Sequence, residues 1–210
     1  MGLSAFFVFD AFTEFFSAFT ALAVAYYAIR AHRVLEDSRM LALNLGFAIL
    51  GAGMLLHGGI KVKIALAVLS GVKTPPARML PEVRIGYVIA FATQFAAYIL
   101  ILIAMLAGER RFEESLLIPP LAIPLIEYDA RTEGLLALLT ALIAIRAGLS
   151  YSESDSKWTA LVAVGFALMA LSHALLVFGG PRLLVTAGIS RLLGFACLLW
   201  MLVGVSRVGE

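Results

Sequence analysis

Long apolar runs, separated by short polar stretches, constrain the fold of this chain more than any other feature. Hydrophobic residues make up 62% of its 210 residues, and charged residues only 14%. This balance lies outside the range of soluble globular domains. Because a bilayer core of ~30 Å requires about 20 apolar residues in each spanning helix, little chain remains for a soluble domain. The sequence therefore predicts an all-α, polytopic, multi-pass protein of the cell membrane.

Six of the apolar runs are predicted to cross the bilayer as transmembrane helices. They lie at residues 11–29, 40–57, 85–107, 134–145, 158–178 and 192–205. A further apolar segment at 116–126 is interrupted by Pro119, Pro120 and Pro124. Proline kinks or breaks helices, and the segment is too short to span a bilayer. We expect it to be re-entrant or interfacial, and a seventh crossing helix is the alternative.

An internal repeat organises these predicted helices. The sequence Asp-Ala-Phe-Thr-Glu at residues 10–14 recurs as Asp-Ala-Arg-Thr-Glu at residues 129–133, and each copy continues, with small gaps, through Thr-Ala-Leu to Ala-Ile-Arg-Ala. Such a self-match indicates two copies of one structural unit. The sequence predicts a first three-helix repeat at 1–107, a proline-rich connector at 108–128 and a second three-helix repeat at 129–210.

The later helices of each copy carry the match further. A Gly-Phe-Ala motif in the second helix is followed by a histidine, His57 in the first copy and His173 in the second. A looser match places Arg84 beside Arg191 near the start of the third helices. An odd number of helices in each unit predicts a 3+3 inverted repeat, with its pseudo-two-fold axis in the membrane plane. If the segment at 116–126 crossed, the chain would instead have seven helices and parallel repeats.

Each copy is predicted to gather an acid, an imidazole and a guanidinium near one membrane face. We define face A as the face at which the first helix begins and face B as the opposite one. Glu14, His57 and Arg84 are predicted at face A, and Glu133, His173 and Arg191 at face B. Charged groups near hydrocarbon persist mostly where they pair or serve a pathway. Since histidine exchanges protons near neutral pH, these residues are predicted to bind a ligand or an ion.

Three further polar residues are candidates for the same pathway. Asp10 and Asp129 precede helix starts, where aspartate is a favourable N-cap, so they are predicted to cap helices or to join the pathway. Gln94 lies about ten residues into the third predicted helix, roughly at mid-membrane by helix rise, and is predicted to bind the ligand. Negative charge in a first helical turn also complements the helix dipole, which is the competing explanation for Glu14 and Glu133.

Several function classes are disfavoured by what the sequence does not contain. The formal net charge of +2 and the dispersed basic residues exclude nucleic acid as a partner. The single Cys197 cannot form an intrachain disulfide or a thiolate metal site, and it is predicted to be a small core residue. His32, His57 and His173 have no metal-ligand spacing, so no metal or cofactor is assigned. An intramembrane enzyme is the least favoured class, because the catalytic motifs of enzymes are missing from the sequence.

Inverted repeats with matching polar groups are typical of proteins in which a central pathway opens alternately to each side. The sequence therefore favours a small transporter or channel for an ion or a small polar solute, by analogy of architecture. The alternative is a membrane sensor or ligand-binding domain in which His57 and His173 bind haem or another cofactor. Because these histidines are predicted near opposite faces, binding one cofactor by both would require a second copy of the chain. A homodimer is therefore possible, and the lipid bilayer is the other expected partner.

Overall fold

Six long α-helices form the regular structure of the part of the chain that is described. The structure is a computed structural model and describes residues 3–70, 80–106, 130–179 and 183–208. The helices are α1 Leu3–Leu35, α2 Ser38–Leu69, α3 Leu80–Leu106, α4 Ala130–Ser154, α5 Lys157–Gly179 and α6 Leu184–Val208. All six are long and apolar enough to cross a membrane, which supports the prediction of a multi-pass, all-α protein. The proline-rich segment at 116–126 lies outside the described residues.

Two tight turns join α1 to α2 and α4 to α5. Glu36, with φ of 53°, and Asp155, with φ of 49°, adopt the left-handed conformation that ends a helix. The backbone N–H of each donates to the carbonyl four residues earlier, at His32 and at Tyr151, and both hydrogen bonds are 2.8 Å long. The chain then starts the next helix after one more residue, so the two turns have the same form.

Asp37 starts α2 as its N-cap. Its carboxylate accepts hydrogen bonds from the backbone N–H of Arg39 at 2.9 Å and from the Nε of the same residue at 3.0 Å. The side-chain hydrogen bond from Arg39 lowers the pKa of Asp37 from its ordinary value. This local contact fixes the sharp reversal of the chain at the end of α1, outside the apolar core of the bundle.

The helices form a closed ring in which each one packs against its neighbours in sequence. α1 packs against α2, α2 against α3, α3 against α4, α4 against α5 and α5 against α6, and the ring closes between α6 and α1. At the closure, Arg191 in the first third of α6 contacts Glu14 in the first half of α1. At the far end, Arg146 Nε donates to the carbonyl of Met105 at 3.2 Å, which places the ends of α3 and α4 together.

These contacts show that α1 and α4 begin at the same end of the bundle, so the predicted inverted relation is wrong for the described helices. Glu133, in the first turn of α4, contacts His173 in the last third of α5. The end of α5 leads into the start of α6, which lies beside the start of α1 at face A. The prediction failed because it assumed that the connector returns to the face it leaves, whereas α3 ends at face B and α4 begins at face A.

Several buried positions and the connecting turns of α1 and α2 recur in α4 and α5 at one constant separation. The turn residues 36 and 155 lie 119 positions apart. Every described residue of α4 that is buried has a buried counterpart 119 positions earlier in α1. These pairs are Thr13 and Thr132, Ser17 and Leu136, Ala21 and Thr140, Val24 and Ile143, and Ala28 and Ala147. Phe47 and Phe166 are related by the same separation and face each other inside the bundle, with ring centroids 6.4 Å apart.

Glycines in α2 and α5 set the position of the third helix in each half. A methyl group on Gly46 would lie 3.1 Å from the carbonyl oxygen of Ala97 in α3, and one on Gly165 would lie 3.0 Å from the carbonyl oxygen of Gly194 in α6. Small residues allow such close helix contacts. Because residues 97 and 194 are in equivalent contacts, the third helices correspond at a separation of 97 positions.

Below the starts of α4 and α6, the interior of the bundle is filled by large apolar side chains. We call this group the apolar plug. Its members, each at most 1% exposed, are Leu50, Met54, Tyr98, Ile101, Ile143, Phe166, Met169, Phe195 and Leu198. On the outer surface, by contrast, Trp200 and Phe178 are strongly exposed, as expected for helices whose outer face contacts lipid. The plug occupies the part of the interior toward face B.

Cysteine labelling can test the parallel course of the two halves. In a Cys197→Ser background, we expect Glu36→Cys and Asp155→Cys to react with a membrane-impermeant maleimide from the same side of sealed vesicles, because both turns lie at face B. Ser70→Cys, after the end of α2, should react from the other side. Reaction of positions 36 and 155 from opposite sides would restore the inverted repeat.

The close contact between α5 and α6 predicts a specific sensitivity to added volume. We expect Gly165→Ala to lower the free energy of unfolding by about 1–3 kcal/mol, since the new methyl group would overpack a backbone contact. Gly148→Ala is the control, because a methyl group there meets nothing within 4 Å, and it should be neutral or slightly stabilising. Denaturation in mixed micelles measures both. Equal free energies of unfolding for Gly165→Ala and Gly148→Ala would contradict the close contact between α5 and α6.

Candidate functional site

A polar pocket lies inside the bundle, at the end where α1, α3, α4 and α6 begin. Its volume is about 290 Å³, and residues from all six described helices line it. The polar lining residues are Asp10, Glu14, His57, Lys61, Tyr87, Gln94, Thr132, Glu133, Ser172, His173 and Arg191. Tyr87 is 38% exposed, whereas Glu14 is fully buried. The pocket therefore runs from the edge of face A toward the interior, where the apolar plug begins.

Glu14 lies at the centre of a buried cluster of charges. Its Oε1 is 2.8 Å from the Nζ of Lys61 and 3.0 Å from an Nη atom of Arg191. Lys61 also contacts the carboxylate of Asp10, at 2.8 Å and 2.9 Å. Two carboxylates are thus compensated by two cations from α2 and α6. Such pairing is what allows charged groups to remain buried among apolar helices.

His57 adjoins this cluster, as predicted, but does not complete a hydrogen bond with it. Its Nδ1 lies 3.4 Å from Glu14 Oε1, and this nitrogen has no hydrogen-bond partner among the described residues. The ring packs at a tilt against Tyr87, with centroids 5.4 Å apart. The close approach of α1 and α2 that permits this depends on Gly58, since a methyl group there would lie 3.3 Å from the Cβ of Glu14.

Glu133 and His173 form the second pair, as predicted. His173 Nδ1 lies 2.7 Å from Glu133 Oε2, within hydrogen-bond distance. The other ring nitrogen, Nε2, is buried and has no partner among the described residues. The ring of Tyr98, from the top of the apolar plug, lies edge-on to the imidazole, with centroids 6.2 Å apart. His173 therefore has one nitrogen engaged with a carboxylate and one available to a ligand.

The two predicted clusters share one pocket instead of lying at opposite faces. Their separation was inferred from the inverted repeat, and parallel halves bring both acids to face A. Asp10 joins the cluster around Glu14, while its repeat counterpart, Asp129, lies outside the described residues. Within each half the acid lies beside the histidine, Glu14 beside His57 and Glu133 beside His173, but Arg191 contacts the acid of the other half.

Arg84 does not line the pocket. The prediction that Arg84 and Arg191 are equivalent positions of the two repeats is wrong. Arg84 is exposed near the start of α3. The contacts of Gly46 and Gly165 show that the residue equivalent to Arg191 is Gln94, three residues before Ala97 as Arg191 is three before Gly194. Gln94 and Arg191 both line the pocket. The sequence match failed because it joined two arginines across linkers of unequal length.

Lys61 is the principal site residue that was not predicted from the sequence. The second spanning helix was predicted to end at residue 57, but α2 continues to Leu69 and carries Lys61 into the interior. A signal for its role was present. Lys61 follows His57 by four residues, and residues at this spacing lie on the same face of a helix.

Several buried polar atoms in and beside the pocket have no hydrogen-bond partner among the described residues. They are Glu14 Oε2, Ser17 Oγ, His57 Nδ1, Gln94 Oε1, His173 Nε2 and Arg191 Nε. Buried polar groups are usually satisfied by protein, water or ligand. The set combines hydrogen-bond donors and acceptors, which suits a polar solute. The described residues contain no group of three or more histidine, cysteine or acidic side chains placed to hold a metal ion.

The charge cluster predicts that two nearby lysines differ sharply in their importance for stability. Lys61→Met should lower the free energy of unfolding by about 3 kcal/mol, because it leaves Asp10 and part of the Glu14 charge uncompensated in a buried site. Lys63→Met, at an exposed position, should change it by about 0.5 kcal/mol or less. Unfolding in mixed micelles measures both free energies. If Lys61→Met left the free energy of unfolding unchanged, the charge cluster would not stabilise the fold.

Comparisons with known proteins do not add an identity to this geometry. The chain matches no model of a protein family, no curated protein and no solved structure.

Proposed function

We propose that this chain is a small multi-pass transporter for a polar solute, with its binding site in the pocket between two parallel three-helix repeats. The observation that carries the proposal is the pocket itself, which is polar, lined by all six described helices and closed on one side by the apolar plug. In this proposal the repeats are related by a pseudo-two-fold axis along the membrane normal. Parallel repeats of this kind occur in several classes of transporter.

Matched lining residues support a site at the interface of the two repeats. α3 and α6 each contribute four residues, and the members of every pair lie 97 positions apart. The pairs are Tyr87 and Leu184, Ala90 and Ala187, Phe91 and Gly188, and Gln94 and Arg191. Transporters built from repeats commonly bind their substrates where the repeats meet. A pocket lined by equivalent positions of both halves lies where such a site is expected.

The charges favour a small polar solute over a simple cation. Lys61 and Arg191 already contact Glu14 and Asp10, so the negative charges of the two acids of α1 are already balanced by protein cations. The unpartnered atoms nearby include the carbonyl oxygen of Gln94 and the Nε of Arg191, an acceptor and a donor. A volume of about 290 Å³ lies near the lower end of the range of ligand pockets, about 300–1,000 Å³.

The asymmetric filling of the bundle is consistent with one state of an alternating pathway. Polar groups line the interior toward face A, and the apolar plug fills the interior toward face B. Transport in this proposal requires the plug side chains to separate while the pocket closes. The tight glycine contacts of α2 with α3 and of α5 with α6 favour motion of each repeat as a unit.

The cofactor-binding alternative is weakened by the size of the pocket. His57 and His173 line the same pocket, so a second subunit is no longer required to bring them together. A volume of about 290 Å³ is nevertheless small even for a drug-sized ligand, and a haem is larger than such a ligand. Absorbance of the purified protein in the Soret region would contradict the proposed function and favour this alternative.

Solute flux in reconstituted vesicles tests the proposal. Proteoliposomes are mixed with isosmotic urea, glycerol, glycine or glucose, and light scattering follows their swelling. We expect at least one of these solutes to enter faster than in protein-free liposomes. Gln94→Leu should reduce this entry at least tenfold, because it replaces the pocket amide by an apolar group of similar size.

Thr93→Val is the matched control for this experiment. Thr93 is the preceding residue of α3, does not line the pocket, and donates its hydroxyl to carbonyls of its own helix. Its substitution should leave solute entry near the wild-type rate. Equal losses in both variants, or no entry of any of the four solutes in the wild type, would contradict a transport pathway through this pocket.

A further inference from the structure

The acids in the two halves of the pocket have different partners. The cations among the described lining residues, Lys61 and Arg191, both contact acids of α1. Glu133, the counterpart of Glu14 in α4, is paired with an imidazole instead. At the position equivalent to Arg191, the neighbouring helix α3 presents Gln94, a neutral amide. One half of the pocket therefore holds a fixed ion-pair cluster, and the other holds a carboxylate and a histidine.

These two arrangements respond differently to protons. The amine of lysine and the guanidinium of arginine keep their protons far above neutral pH, whereas an imidazole exchanges its proton between about pH 5 and pH 8. A proton on His57 would add a third positive group beside Lys61 and Arg191. A proton on His173 would place the positive charge directly against the carboxylate of Glu133, 2.7 Å away.

From this geometry we propose that Glu133 and His173 are the single proton-exchanging pair of the pocket, and that the cluster around Glu14 keeps its charges fixed. In the neutral pair the imidazole donates Nδ1–H to the Glu133 carboxylate, 2.7 Å away, and Nε2 carries no proton; the incoming proton comes from water at face A and binds Nε2. The unpartnered Nε2 thereby changes from an acceptor to a donor. A bound solute with a carbonyl, hydroxyl or carboxylate oxygen is favoured by the protonated form.

The other ionisable groups described around this pair come from α1, α2, α3 and α6. They are Asp10 and Glu14 of α1, His57 and Lys61 of α2, Tyr87 and Tyr98 of α3, and Arg191 of α6. Asp10, Glu14, Lys61 and Arg191 already contact one another, so their charges largely cancel. Coupling of the proton to a solute rests on the proposed function, whereas the proton exchange itself rests only on the paired side chains.

Histidine NMR on the full chain in nanodiscs tests the inference without any solute. The chain has only three histidines, and the variants His32→Gln and His57→Gln assign their signals. We expect the ring carbon and nitrogen shifts of His173 to report uptake of a proton at Nε2 when the pH is lowered. Glu133→Gln should weaken this proton uptake, because an adjacent carboxylate stabilises the imidazolium.

Asp10→Asn is the matched control, since it also removes one negative charge from the pocket lining but leaves the Glu133 and His173 pair intact. It should leave the proton uptake of His173 close to that of the wild type. A His173 that takes up no proton as the pH is lowered, or that takes it up equally in the Glu133→Gln variant, would overturn the inference. Titration of His173 in a protein that moves no solute would support the proton pair and reject the transporter.

Discussion

The contact between Glu14 and Arg191 is the interaction on which the arrangement of this bundle depends. It joins the first helix to the last at 3.0 Å, and Lys61 reaches the same oxygen from α2. Because an unpaired charge among apolar helices is costly, these three helices have to remain adjacent at this level. The closed ring that results gives the pocket a continuous wall, and the polar residues of the other helices are then turned toward one shared space.

The chemistry of the pocket also depends on two backbone contacts well below it. Gly46 and Gly165 let α3 and α6 approach so closely that the registers of these helices are fixed. Since successive residues of a helix are rotated by about 100°, a slip of one residue would turn Gln94 and Arg191 away from the pocket. Glycines without a chemical role therefore decide which side chains form the site.

Much of this architecture can be predicted from the sequence, and the failures have physical causes. Apolar length predicts the helices, and the repeated Asp-Ala-x-Thr-Glu motif predicts that Glu14 and Glu133 are equivalent. The direction of the second half depends on the connector at 108–128, whose composition does not tell whether it changes sides. The match of His57 with His173 is also inexact, because at the constant separation of 119 positions the counterpart of His173 is Met54. Composition cannot reveal such an offset, whereas packing does.

Equivalent positions of the two halves carry different residues, Gln94 in α3 and Arg191 in α6, and this difference requires two halves that are not identical. Two identical halves related by an exact two-fold axis would present either two guanidiniums or two amides at this level. The first choice would lock both acids into ion pairs, and the second would leave both buried without a permanent cation. A single polypeptide is not restricted in this way, because each half has its own sequence. One half can therefore hold the fixed ion pairs around Glu14, while the other keeps the Glu133 and His173 pair, whose charge can change.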